Sequence, residues 1–263
     1  MNCPGCQSNR TFQLKRTTRL GYKQYRCLDC RKDFNERTGT VFNHLNYPTD
    51  VVLLVVFFYY RYKLSLIDVT EMMALRGFSI SHETVRLWSQ AVGTNIGIEF
   101  RARRHGQCGK SWHMYVTYLK IDGRWCYLYR AIDKSGKLID VYLSDNRNEQ
   151  AAKNFFANCK ETTGITPDQI TTDKEKAFPA AITSALGKKV KHRTSKYKNN
   201  IMEQNHRGIK SRYGTMKCFK DIWCAMIFCT VFEEIKEFFA LRNCTVAQRR
   251  SSFVSKFQKF INI

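Results

Sequence analysis

Between Ser111 and Asp133 the chain reads SWHMYVTYLKIDGRWCYLYRAID, two arms of alternating apolar residues on either side of Asp122-Gly123. Alternation at period two marks a β-strand, and Asp-Gly accepts the left-handed backbone of a two-residue hairpin turn. If Ile121 pairs with Arg124 across that turn, Tyr115 faces Arg130. The hairpin is followed by a third strand from about Leu138 to Leu143, a helix from about Asn148 to Cys159, and a short strand, Gln169 to Thr172, ending at Asp173. A helix near Lys176 to Leu186, a short strand at Lys189 to Lys191, the basic loop HRTSKYKNN and a helix from near Asn199 carrying Glu203 complete the pattern. Three antiparallel strands and then strands alternating with helices predict an α/β fold, a mixed sheet with helices on both faces.

The first forty residues obey a different constraint. Cys3-Pro-Gly-Cys6 and Cys27-Leu-Asp-Cys30 bracket a basic, β-prone stretch. Two such pairs bring four thiolates to the corners of a tetrahedron when two hairpin knuckles face each other, so Cys3, Cys6, Cys27 and Cys30 are candidate zinc ligands of a ribbon over residues 1–40. The chain has eleven cysteines and opens without a basic region followed by an apolar stretch. Metal ligands and core thiols, rather than a disulfide framework, are the expectation in a reducing cytoplasm.

From Pro48 the periodicity turns helical. Asp50 to Lys63 predicts an apolar helix, Ser65 to Asp68 a capping box opening a second, Gly77 its end, and Ser81 the cap of a third running to about Gln90. This is the outline of a helix-turn-helix over residues 47–98, in which His82, Glu83, Arg86 and Gln90 face solvent as candidate DNA contacts and Val85 with Leu87 or Trp88 anchors the helix. A plain three-helix core has the same outline. Residues 99–111, EFRARRHGQCGKS, are basic and lack periodicity, which reads as a linker.

Charge narrows the partners. Lys and Arg number 44 against 22 acids, a net charge of +22. The excess runs through every third of the chain, which points to a polyanion. The longest uninterrupted apolar run, Val51 to Tyr60, is too short to span a bilayer, so no membrane is expected. Lys191, Arg193, Lys196 and Lys198 form a charge run just before Glu203, placed for contact with a DNA backbone. Arg207 and Lys210 continue that basic character. His206 reads as a phosphate contact or an aid to proton transfer, or equally as a structural histidine, and Cys224 and Cys229, on an apolar helix from Ile222 to Phe239, read as core.

Asp173 at a strand end and Glu203 on the helix after the neighbouring strand fall together at the carboxyl edge of such a sheet. Two carboxylates there could hold a divalent metal for phosphoryl transfer. The segments HRTSKYKNNIMEQNHRGIKSR, TTDKEKAFPAAI and DGRWCYLYRAIDKSGKLIDVYLSDNRN resemble the insertion-sequence-6 type of bacterial DDE transposase, from about Tyr47 to Phe239. The resemblance implies a ribonuclease-H-like catalytic domain at residues 112–215 with a helical extension at 216–263. It also implies binding to terminal inverted repeats as a homo-oligomer on double-stranded DNA, in a bacterial cytoplasm at the nucleoid. Cleavage of 3′ ends and strand transfer into target DNA, with magnesium, are the implied chemistry.

Carried over residue by residue, the second acid of that family falls on Asp173 and the third on Glu203. The first does not carry over: the family strand reads apolar, Asp, Glu, Thr, Tyr, where this chain has Met114, Tyr115, Val116, Thr117 and Tyr118. The family's Glu-Gln-Asp-His is here Glu203-Gln204-Asn205-His206. Asp122 lies about 23 Å further along the strand at roughly 3.3 Å per residue, and on the other face. Asp133 has the wrong parity to serve. A phenol with an ordinary pKa near 10 is a poor magnesium ligand. The expectation is a DDE transposase by descent with impaired catalysis, and the competing reading is a non-enzymatic DNA-binding protein derived from one.

Overall fold

The computed structural model describes residues 1–173, 175–194, 208–216, 218–242 and 244–262. Strands β1 (Thr11–Thr17), β2 (Lys23–Cys27) and β3 (Asp33–Phe34) form a small antiparallel sheet. Its core amounts to Cys3, Cys27 and Phe34 with Tyr25 and Cys30 packed against them. So little apolar surface cannot hold a fold by itself.

Helix α1 (Thr49–Arg61) is buried almost all round, as its unbroken run of Val, Leu, Phe and Tyr requires. Helix α2 (Leu66–Ala74) opens on the expected capping box: Ser65 accepts from the Asp68 amide at 3.1 Å, and Asp68 accepts from the Ser65 amide at 2.7 Å. Gly77, at φ +80°, turns the chain toward α3. Helix α3 (His82–Ala102) is capped by Ser81 as expected but runs about three turns beyond Gln90. The reason is close packing. Gly93 lies where a Cβ would meet the Tyr60 ring at 2.9 Å, and Gly97 where it would meet Val231 at 3.3 Å. Glycine in a helix costs up to about 1 kcal/mol, here offset by letting α3 approach its neighbours. The start of the stretch read as a linker is therefore helical, and Arg104 within it is buried.

The main sheet has the order β6-β5-β4-β7-β8, with β4 (Ser111–Ile121), β5 (Arg124–Asp133), β6 (Leu138–Ser144), β7 (Gln169–Thr172) and β8 (Lys191–Thr194). The first three form an antiparallel meander, and β4, β7 and β8 run parallel. The β4–β5 register has Ile121 opposite Arg124 and Tyr115 opposite Arg130, with Asp122 and Gly123 both at positive φ in the turn. Helix α4 (Glu149–Thr163), capped by Asn148 and closed by Gly164, and helix α5 (Phe178–Leu186) cover one face, packing on Trp112, Met114 and Tyr129. The other face packs on α1, α3, α6 (Ile222–Phe238) and α7 (Val246–Ile261) in one continuous core. A meander followed by two parallel strands, with helices on both faces, is the ribonuclease-H-like arrangement.

A buried ionic cluster joins α3 to the sheet. Arg101 reaches Asp140 of β6 at 2.7 Å, and Arg104 reaches Glu234 of α6 at 2.6 Å. The helical stretch 208–215 is tied to the end of α1 by Arg212, whose guanidinium donates to the carbonyls of Tyr59 at 2.6 Å and Leu64 at 2.9 Å. Those carbonyls lie at and just beyond the last turn of α1, where a cation is favoured.

Candidate functional site

The four cysteines converge. Their sulfurs all lie within 4.8 Å of one another, with Cys3 to Cys30 and Cys6 to Cys27 each at 3.5 Å. A tetrahedral thiolate site with bonds of about 2.3 Å puts its sulfurs about 3.8 Å apart, so the donor set fits a closed four-coordinate metal. The Cys30 amide, with that of Asp29, draws the Cys27 thiol down to about 7, while the close Cys27 sulfur helps to push the Cys6 thiol up, the opposite shifts of crowded thiols that titrate together. Among the described residues this is the one group of three or more Cys, His, Asp or Glu side chains close enough to share an ion.

At the sheet edge the parallel register of β4 and β7 sets His113 beside Thr171. Carried two residues on, it sets Tyr115 level with Asp173. Tyr115 is only 4% exposed. Its ring lies 5.5 Å from the Arg130 guanidinium, which donates to its hydroxyl, and Arg130 pairs with the buried Glu233 at 2.8 Å. Burial pushes the phenol well above its ordinary value, with Arg130 countering only part of that. Tyr115 is thus a neutral hydroxyl held by an internal cation. Val116 packs partly against the α4–α5 core.

Asp173 follows β7, and its carboxylate is 44% exposed. Arg147, between β6 and α4, reaches it at 3.5 Å and reaches Glu175 at 2.8 Å. The same guanidinium lies 5.5 Å from the Tyr118 ring and donates to its hydroxyl. Sequence reasoning passed over Arg147 and Glu175; the signal was an arginine and an acid flanking the predicted ends of β6 and β7. Glu203, and with it Lys196, Lys198, Asn205, His206 and Arg207, lies outside the described residues. Asp133 accepts from the amides of Gly109, Ser135 and Lys137 at 2.8–2.9 Å, a loop-holding role.

Of the predicted DNA contacts, His82, Glu83 and Arg86 are exposed on the first turns of α3, with Arg86 paired to Glu83. Gln90 turns partly inward, its amide 3.3 Å from the Cys224 sulfur, and Trp88 rather than Leu87 is the anchor. Arg193 lies in β8, within the stretch expected to be loop, and donates to Gln169 at 3.3 Å. Lys191 and Lys210 are exposed. Cys229 is core, and Cys224 is half-buried beside α3.

Residues 109–241 match a family described as a DDE domain. The transposase for insertion sequence-like element IS431mec of Staphylococcus aureus is 35% identical over 175 residues, which span 65% of this chain and 77% of that protein. The Staphylococcus aureus transposase for insertion sequence element IS257 in transposon Tn4003 matches to the same extent. Among solved structures, the HTLV-2 integrase catalytic core domain in complex with magnesium, in its dimeric form, is 19% identical with a TM-score of 0.39, covering 57% of this chain and 99% of that one. A chain of the simian T-cell lymphotropic virus intasome is 17% identical with a TM-score of 0.40, covering 56% and 54% respectively. The chain belongs to the DDE transposases of bacterial insertion sequences, of the insertion-sequence-6 type. No helix of the described residues is long and apolar enough to cross a membrane.

Proposed function

We propose that this protein binds the ends of an insertion sequence as a DDE transposase whose strand-cleaving chemistry is impaired at Tyr115. The observation that supports the reading is the burial of the Tyr115 phenol on Arg130, on a strand whose parallel register with β7, continued two residues past His113 and Thr171, brings position 115 level with Asp173. A two-metal cage needs carboxylates converging on ions about 3.5 to 4 Å apart. At this edge the described carboxylates are Asp173 and Glu175, both paired to Arg147. Asp173 and Glu175 alone do not complete such a cage, and Glu203 lies outside the described residues.

What the chain's own residues do is bind. The exposed start of α3 with His82 and Arg86, the basic ribbon, the exposed Arg193 and Lys210, and Lys196, Lys198 and Arg207 from the basic stretch between them in sequence are the proposed contacts with double-stranded DNA. The ribbon at residues 1–40, the helix-turn-helix at 47–98 and the catalytic domain at 112–215 share that task along one duplex, with zinc holding the ribbon. Two copies on paired ends supply the homo-oligomer. The burial of Tyr115 also favours a second reading, a transposase-derived protein that occupies element ends without cutting them.

The deciding assay is cleavage of end-labelled repeat DNA with magnesium. The wild-type chain is expected to cut little or not at all, and Tyr115→Asp with Val116→Glu and Asn205→Asp is expected to raise cleavage on the order of 10² to 10⁴. Wild-type cleavage abolished by Asp173→Ala overturns the impairment. Restored variants that fold and bind DNA yet stay silent point to further changes beyond Tyr115 or to a different alignment of this strand. Binding itself should persist in buffer made without magnesium and weaken at least about tenfold between low and moderate salt, since many phosphate contacts are released together.

A further inference from the structure

Among the described residues, the face of the sheet covered by α4 and α5 is not covered to its end. Trp112 and Met114 of β4 pack under those helices, but further along the same face the rings of Tyr118 and Trp125 stand 45% and 59% exposed. The register pairs Tyr118 with Tyr127 and Lys120 with Trp125, so all four side chains share that face at the hairpin tip. Tyr118 meets Trp125 edge-on with centroids 6.4 Å apart and Tyr127 at 5.4 Å. Lys210 and Tyr213, from the stretch 208–215, close the far side of an open groove of about 810 Å³, and the Tyr213 hydroxyl donates to the Lys120 carbonyl at 2.6 Å.

A soluble surface rarely leaves rings of this size uncovered without use. The chemistry of the rim selects the use. Among the described residues lining the groove the charged groups are Lys120 and Lys210, and none is a carboxylate. Aromatic rings between cations are what a single nucleic-acid strand requires: stacking for a base and counter-charge for its phosphates. The groove is also joined to the sheet edge, because Arg147 touches both Tyr118 and Asp173.

We propose that the groove receives one unpaired nucleobase of a DNA strand whose backbone passes Asp173, with Trp125 as the stacking ring, Tyr118 and Tyr127 as its wall, and Lys120 and Lys210 on the adjoining phosphates. This rests on the reading that the protein binds DNA ends, and adds that the preferred end is frayed or single-stranded rather than blunt. The chain then discriminates between end structures even where it cuts none of them.

Full-length protein is titrated against a labelled blunt duplex and against the same duplex with a short unpaired overhang carrying a fluorescent base analogue. Expected are binding to the overhang about tenfold tighter than to the blunt end and quenching of the analogue as it stacks. Trp125→Ala should erase the difference while leaving blunt-end affinity unchanged, and Trp125→Phe should retain it. Equal affinity for both ends with no quenching, or a preference that survives Trp125→Ala, overturns the groove while leaving DNA binding intact. Failure to bind either duplex overturns both readings. A Trp125→Ala variant that alters the oligomeric mass but keeps the preference shows that the groove holds a second copy of the chain instead.

Discussion

At the cysteine knuckles four sulfurs from two turns converge within 4.8 Å, whereas at the sheet edge Asp173 and Glu175 turn toward one guanidinium and the neighbouring strand offers a buried phenol. Both places gather side chains suited to metals, but they answer to different requirements. The ribbon has almost no core, so on the zinc assignment its four cysteines are its fold, and losing one is expected to lose the segment. The sheet edge stands on two large apolar cores, so changes at its half-exposed carboxylates are expected to leave the fold standing. A residue that serves only chemistry can be replaced by one that packs, and Tyr115 with Arg130 and Glu233 packs.

The largest effect that can break this comparison is metal removal. One zinc per chain is expected on Cys3, Cys6, Cys27 and Cys30, and stripping it with a strong chelator should unfold residues 1–40 while the sheet and helices persist. Structural zinc is worth roughly 10 to 16 kcal/mol in small domains, far more than this core can replace. Elemental analysis and hydrogen exchange on the ribbon read the result. Protein without zinc that keeps the ribbon protected, or full occupancy in a Cys3→Ser, Cys27→Ser double variant, would falsify the assignment.

A mid-sized effect tests whether carboxylates can be staples too. Asp140 and Glu234 lie buried around Arg101 and Arg104 where α3 meets the sheet. Glu234→Ala leaves Arg104 buried without its nearest partner and should cost about 3 to 5 kcal/mol, read by denaturant melts. Burial pushes Glu234 up to about 8, against the pull of Arg104. Glu234→Gln, which keeps an oxygen for Arg104, should therefore cost far less than Glu234→Ala. Equal losses for the two variants would mean that the charge, rather than the hydrogen bond, holds the junction.

That junction also marks where the sequence stopped being legible. The register of β4 on β5, the Ser65 box, the Ser81 cap and strand β7 all follow from periodicity and turn chemistry, which are local. The length of α3 does not, because the third helix reads as ending near Gln90 and the arginines after Phe100 read as a linker, until Tyr60 and Val231 pack at Gly93 and Gly97 and Asp140 and Glu234 pair with Arg101 and Arg104 from distant parts of the chain. Trp125 and Tyr118 read simply as strand residues, since exposure at the hairpin tip is set by where α4 and α5 end. At the sheet edge the motif pointed to Asp173 and Tyr115 as positions of interest, but nothing local announced that Arg147 would sit between Asp173 and Glu175.

The smallest effect is expected at Arg147, and it sharpens the contrast most. Its ion pairs resemble those of Arg104 on paper, yet the Arg147, Asp173 and Glu175 side chains are 25%, 44% and 31% exposed, so water already screens much of the attraction. Such pairs contribute about 0 to 1 kcal/mol. Arg147→Ala should accordingly lower the melting temperature by less than about 4 °C. It would also leave Asp173 and Glu175 as neighbouring negative charges without their shared cation, which should strengthen the binding of a divalent ion there relative to wild type. Calorimetric melts and manganese titration measure the two consequences separately. A loss of stability as large as that of Glu234→Ala would place Arg147 among the structural staples and remove the distinction between a sheet edge kept for binding and a junction kept for folding.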